Sequence, residues 1–211
     1  MPVACSYCDV SELEDPTLMA QALNLLPWPE RRHKAARYRF AADQRLCVGA
    51  GLLAASMLRR AGARDLTLKY SAQGKPSLAH HPNLHFNLSH SGTLAVCAVS
   101  DEPVGVDVET ICDHGDEVAR YCYQPKELDW LSQAPDRAQA FTRLWVRKES
   151  YIKLTGTGLS REPRSFSVLP GQPVENDATF AEFTICDALL CVCTFEKREI
   201  GLAKWSLLEA L

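Results

Sequence analysis

Three stretches of this chain place acids and bases where they could act on a phosphate ester. In Val104-Gly105-Val106-Asp107-Val108-Glu109 the valines alternate with Gly105, Asp107 and Glu109. On a strand, alternate side chains point to opposite faces, so both carboxylates share one side, about 7 Å apart in Cα position, and the valines pack on the other. Two acids on one face suit a hard cation such as magnesium, which takes oxygen ligands from one or two carboxylates and from substrate phosphates. Taken alone, the segment is equally an ordinary solvated strand face.

The second stretch runs from Phe141 to Lys153, where Phe141, Trp145, Glu149 and Lys153 recur at i, i+4 on one row of a helix. Its aromatic end should turn inward and hold Glu149 and Lys153 in or beside a cleft. Read alone, those two are also a surface ion pair. The third, Asn87-Leu88-Ser89-His90-Ser91, places a hydroxyl and an imidazole at the end of a strand, where ligand contacts are commonly carried. It is no serine hydrolase signature, because the G-x-S-x-G elbow is absent. Local positive charge comes from Gly74-Lys75-Pro76 and from Arg31, Arg32, Lys34, Arg37, Arg39 and Arg45. No P-loop pattern accompanies them.

The elements that must position these groups follow from periodicity and breakers. A helix is expected over 11–26, stopped by Pro27-Trp28-Pro29, and a longer one over 30–61, basic at its start and apolar towards its end. Strands are expected over 66–70, 84–88, 94–99 and 104–109, separated by Gly- and Pro-containing turns. Helical segments follow over 116–121, 124–133 and 136–154, the last ending at Gly156. Strands close the chain over 164–168, 178–187 and 189–196. Helix-then-strands thus occurs twice, with no linker between, which predicts one compact α+β unit of two packed lobes: residues 1–103, carrying the basic groups, and 104–211, carrying the acids.

Composition sets outer bounds. The 211 residues are 46% hydrophobic, enough for a packed core, and the net charge of -3 gives no general attraction to nucleic acid or anionic membrane. No apolar run reaches the ~20 residues of a membrane span, and the N-terminus lacks a signal-peptide pattern. Nine cysteines, an odd number set in apolar runs, read as buried hydrophobes of a cytoplasmic protein. The lone Cys5-x-x-Cys8 pair and the irregular His80, His81 and His85 do not make a metal site.

Gly74-Lys75-Pro76, Asn87 to Ser91, Val104 to Glu109 and Trp145 to Lys153, followed by Ser165-Phe166-Ser167, resemble in order and spacing the signature of Sfp-type 4′-phosphopantetheinyl transferases, of the holo-[acyl-carrier-protein] synthase superfamily. The resemblance covers about Glu30 to Ser167 and departs from many relatives at Val146. It implies two similar α/β lobes in a pseudo-twofold arrangement with the active site between them, a coenzyme A-binding lobe followed by a metal and catalytic one, in a monomer. It also implies transfer of phosphopantetheine from coenzyme A to a serine of an apo acyl or peptidyl carrier protein. By resemblance, Asp107, Glu109 and Glu149 hold Mg²⁺ or Mn²⁺; Lys75, Ser89, His90 and Lys153 contact the phosphates; Arg31, Lys34 and Arg45 meet the 3′-phosphate and adenine end. Glu149, Lys153 and His90 are the catalytic candidates. The same groups would also serve a magnesium-dependent nucleotide or pyrophosphate hydrolase, and the scaffold could serve a non-catalytic carrier-binding module.

Overall fold

A computed structural model describes residues 2–207. The chain opens with β1 (Val3–Asp9), then a 3-10 turn (Val10–Glu14) and α1 (Pro16–Leu25). Asp15 caps α1 by accepting from the Thr17 and Leu18 amides. Next come α2 (Pro29–Ala36), α3 (Ala41–Arg60), and strands β2 (Leu68–Tyr70), β3 (Pro76–Leu78), β4 (His85–Ser91) and β5 (Leu94–Ser100). The second half holds β6 (Val104–Thr110), α4 (Gly115–Cys122), α5 (Pro125–Ser132), α6 (Arg137–Thr155), β7 (Thr179–Ile185), β8 (Ala188–Thr194) and β9 (Ile200–Lys204).

The two halves repeat one topology. In the first, β1 leads through helices to the β4–β5 hairpin, and β5 returns to pair antiparallel with β1; in the second, β6 leads through helices to the β7–β8 hairpin, and β8 pairs antiparallel with β6. The α+β class and the doubled architecture expected from the sequence are therefore present. α3 packs on the outer face of the first sheet and α6 on the outer face of the second. Between the sheets lies an apolar layer in which Val3, Cys5, Val96 and Ala98 meet Val106, Val108, Leu190 and Val192. The valine side of β6 is thus buried as its alternation requires, and Gly105, Asp107 and Glu109 are left for α6. One strand crosses between halves: β9 pairs parallel with β1, and Trp205 and Leu207 behind it enter the core under α3. No helix among the described residues is long and apolar enough to cross a membrane.

Several elements differ from the periodicity reading. The helix expected over 30–61 breaks at residues 37–40, so α2 folds back and Arg31 Nε donates to the Cys47 carbonyl at 2.8 Å. In one straight helix the 16 residues between them would span about 24 Å. Gly51 lies under this contact: a Cβ there would stand 2.5 Å from Leu26 Cδ1 and 2.8 Å from that same Nε, so both side chains would have to shift. The 164–168 segment is not a strand but a 3-10 turn with an extended exit. Its backbone is satisfied by side chains: the Lys148 ammonium donates to the Pro163 and Phe166 carbonyls, and the Glu127 carboxylate accepts the Val168 amide. Lys148 and Glu127, both almost wholly buried, pair at 2.9 Å, so each charge in the low-dielectric interior has its partner. β1, β3 and β9 are too short or too irregular for the alternation rule to find.

The tightest contact is between α6 and β6. A Cβ on Gly105 would stand 2.0 Å from the Ser150 carbonyl oxygen and 2.5 Å from the Leu154 nitrogen, both backbone atoms that no rotamer change can move. Gly105→Ala should therefore push α6 away and cost about 3 kcal/mol in urea unfolding. Gly201→Ala, whose nearest neighbour would be 3.9 Å away, should stay within about 0.5 kcal/mol of the parent. Equal stability of both variants would refute that close contact.

Candidate functional site

β4 and β6 belong to different sheets, yet they run side by side and are joined by the side chains of alternate β4 residues. Asn87 Oδ1 accepts the Val106 amide at 2.9 Å, Ser89 Oγ donates to Asp107 Oδ1 at 2.7 Å, and Ser91 Oγ donates to Glu109 Oε2 at 2.6 Å. Ser91 Oγ also accepts the Thr110 amide at 3.2 Å. The Asn-x-Ser-x-Ser alternation thus serves as a ladder where backbone pairing stops. The strand expected to end at Leu88, with Ser89 and His90 at a loop tip, continues to Ser91 and carries both.

α6 supplies the other wall. Asp136 caps its first turn by accepting the Gln139 amide, and Gly156, at φ 70°, ends it in the left-handed conformation that glycine adopts freely. The i, i+4 row behaves as expected: Phe141 is buried against Tyr123, their rings 5.1 Å apart, while Trp145, Glu149 and Lys153 line a cavity of about 550 Å³. Lys153 Nζ lies 2.6 Å from Asp107 Oδ1 and 2.9 Å from Ser89 Oγ, tying helix to both strands.

Of the residues singled out from sequence, Asp107, Glu109, Glu149, Lys153, Ser89, His90, Arg31 and Lys34 line this one cavity. Two do not. Arg45 is ion-paired with Glu14 at 3.2 Å on the outside of α3. Lys75 lines an adjoining groove, where its ammonium donates to the Lys153 and Leu154 carbonyls. Sequence reasoning gave no roles to Asn87 and Ser91, although their spacing of two on an edge strand was the available signal. It also passed over Tyr70, Leu68 and Trp28, which line the same cavity.

The charges here are strained against one another. The Glu149 carboxyl is pushed above its ordinary range by burial first and then by the fields of Asp107 and Glu109, with Lys153 opposing. Glu109 is raised likewise, by burial and then by Asp107, against the Ser91 hydrogen bond and Lys153. His90 is lowered by desolvation and by the positive charges of Lys153, Arg31 and Lys34, so the imidazole favours its neutral form at neutral pH. Among the described residues, no three His, Cys, Asp or Glu side chains are gathered closely enough to hold an ion as they stand. The donor set nonetheless fits a hard divalent cation that completes its shell with phosphate oxygens. Asp107 Oδ2 is buried without a hydrogen-bond partner, and Glu109 and Glu149 face it with ionisation already disfavoured.

Residues 103–210 match the 4′-phosphopantetheinyl transferase superfamily, and residues 15–102 match the N-terminal region of 4′-phosphopantetheinyl transferase. The chain is 36% identical to 4′-phosphopantetheinyl transferase psf-1 of Bacillus pumilus, over 74% of this chain and 70% of that protein. It is 35% identical to 4′-phosphopantetheinyl transferase Sfp of Bacillus subtilis (strain 168), over 66% of this chain and 65% of the relative. It is 30% identical to 4′-phosphopantetheinyl transferase HetI of a Nostoc species, over 77% and 74%.

Raised carboxylate pKa values have a thermodynamic sign. A group that ionises less readily when folded withdraws stability as pH rises from the ordinary glutamate value through the folded one. Glu149→Gln should therefore raise the metal-free melting temperature by about 1–3 °C at pH 7.5, with the gain shrinking towards pH 5. Differential scanning fluorimetry in EDTA checks this, and a lower melting temperature at pH 7.5 would contradict it.

Proposed function

The chain belongs to the 4′-phosphopantetheinyl transferase superfamily, and we propose that it transfers the phosphopantetheine arm of coenzyme A to a serine of an apo acyl or peptidyl carrier protein, releasing 3′,5′-ADP. In the reaction the serine oxygen forms a bond to the phosphorus that bears the pantetheine, and the pyrophosphate P–O bond to the nucleotide breaks. One observation carries this reading: a single cavity of about 550 Å³ is lined by Asp107, Glu109, Glu149 and Lys153 together with Arg31 and Lys34, the apolar Trp28 and Leu68, Tyr70 and the acid Glu30. That combination suits a ligand with a reacting pyrophosphate, a further phosphate and an adenine.

Each residue then has a physical task. Arg31 and Lys34 take the 3′-phosphate end; Arg31 is held for it by the Cys47 carbonyl. Lys153 and the neutral His90 donate to the pyrophosphate oxygens, and Ser89 joins them from β4. Asp107, Glu109 and Glu149 would hold Mg²⁺ or Mn²⁺, which when bound would polarise the pyrophosphate and offset charge on the leaving nucleotide. Glu149 is the proton acceptor for the serine hydroxyl, directly or through water, as the carboxylate that α6 presents to the cavity one turn from Lys153. Lys153, one turn away, can return a proton to the departing phosphate. The reading carries with it a cytoplasmic monomer; all nine cysteines are free.

Intact-mass spectrometry of several apo carrier proteins incubated with the protein, coenzyme A and Mg²⁺ tests the assignment. The expected result is a gain of one phosphopantetheine on at least one carrier, abolished by EDTA and reduced at least about 100-fold by Glu149→Gln. Hydrolysis of coenzyme A without loading of any carrier would replace the transferase reading with that of a pyrophosphate hydrolase.

A further inference from the structure

Lys75 is the basic residue of the Gly-Lys-Pro turn that the cavity leaves unused. The turn is fixed by its own hydrogen bonds: Gly74 N donates to the Ser71 carbonyl at 2.9 Å, Lys75 N donates to Ser71 Oγ at 3.1 Å, and Ser71 N donates to the Lys75 carbonyl at 3.0 Å. Gly74, at φ 81°, supplies the left-handed conformation that the turn requires. From there the side chain reaches across the gap between the halves. Its ammonium donates to the carbonyls of Lys153 and, at 3.1 Å, of Leu154. Both carbonyls lie in the last turn of α6, where no helical amide remains to bond them. A cation there also meets the negative end of the helix dipole. The Lys75 stem passes close to Gly156, where a Cβ would lie 3.4 Å from Lys75 Cδ.

We propose that Lys75 is a positioning residue: from the first half of the molecule it fixes the last turn of α6, and thereby the Lys153 ammonium on Asp107. Lys153 is then held at both ends, its carbonyl by Lys75 and its Nζ by Asp107 and Ser89. Desolvation lowers the Lys75 pKa to about 8, so the ammonium that the carbonyls accept from predominates below that pH. The side chain lines a groove of about 580 Å³ that shares Trp145, Glu149 and Lys153 with the main cavity, and its ammonium is engaged there by the two α6 carbonyls. This inference rests on the transferase reading for its kinetic consequence, but its structural part stands apart from it.

Lys75→Met and Lys75→Arg separate the two roles. For Lys75→Met the expectation is a kcat at least about tenfold lower, with KM for coenzyme A and its calorimetric Kd within about twofold of the parent. Hydrogen exchange of the amides in the last turn of α6 should be at least about tenfold faster. Lys75→Arg, which keeps a cationic donor, should recover most of the lost kcat. A tenfold rise in KM and Kd for coenzyme A, with exchange in α6 unchanged, would overturn the proposal and make Lys75 a phosphate ligand. Should the parent protein load no carrier, the functional reading fails by itself, while calorimetry and exchange still decide what Lys75 does.

Discussion

The near-contact of two backbones at Gly105 is the constraint on which the site depends. Because β6 has no side chain there, the Ser150–Leu154 turn of α6 lies directly against the strand. That places Lys153 within 2.6 Å of Asp107 and brings Glu149 into the field of both strand acids. A methyl group would separate the two elements by more than an ångström and loosen every distance that follows. The repulsion gathered by this approach is sustained by interactions elsewhere: the Lys148–Glu127 pair under α6, the capped helix ends and the apolar layer behind the valines of β6.

The repeated strand–helices–hairpin topology explains why the site lies between halves. Each half alone buries its helix on one face of its sheet and leaves the other face apolar, so the two must pack sheet to sheet. Packing brings the edges β4 and β6 together, where the backbones do not pair and the side chains of Asn87, Ser89 and Ser91 bridge instead. A polar seam beside a strained cluster of carboxylates offers hydroxyls, cations and acids to a single ligand. The halves differ in use: α2 contributes Arg31, Lys34 and Glu30 to the cavity, β2 and β4 contribute Leu68, Tyr70, Phe86 and Leu88, and β6 and α6 contribute Asp107, Glu109 and Glu149. β9 then closes the connection by returning the chain to the first sheet.

Much of this was legible in the residues. The alternation in Val104–Glu109 assigned the faces of β6 correctly, because period-two burial leaves little freedom once one side is all valine. The Phe141–Lys153 row likewise foretold a charged end facing a cleft, and of its two aromatics Phe141 is buried while Trp145 is half-buried on the cavity wall. What escaped was decided by contacts distant in sequence. Nothing local says that residues 37–40 reverse the chain, since the driving contact is Arg31 with the Cys47 carbonyl under Gly51. Phe166 and Val168 alternate like a strand, yet their backbone partners are the side chains of Lys148 and Glu127. The distinction between Arg31, in the cavity, and Arg45, paired outside it with Glu14, is a matter of helix phase after that reversal.

On the proposed reading, the Gly105 approach assembles one divalent-metal site that the phosphates of coenzyme A complete. Electron paramagnetic resonance of added Mn²⁺ tests it most directly, by comparing the free-ion signal with protein alone, with protein plus coenzyme A, and with the Asp107→Asn protein plus coenzyme A. The expected result is weak binding of Mn²⁺ by protein alone, at least about tenfold tighter binding with coenzyme A, and loss of that gain in Asp107→Asn. Mn²⁺ affinity indifferent to coenzyme A, or unchanged by Asp107→Asn, would contradict it.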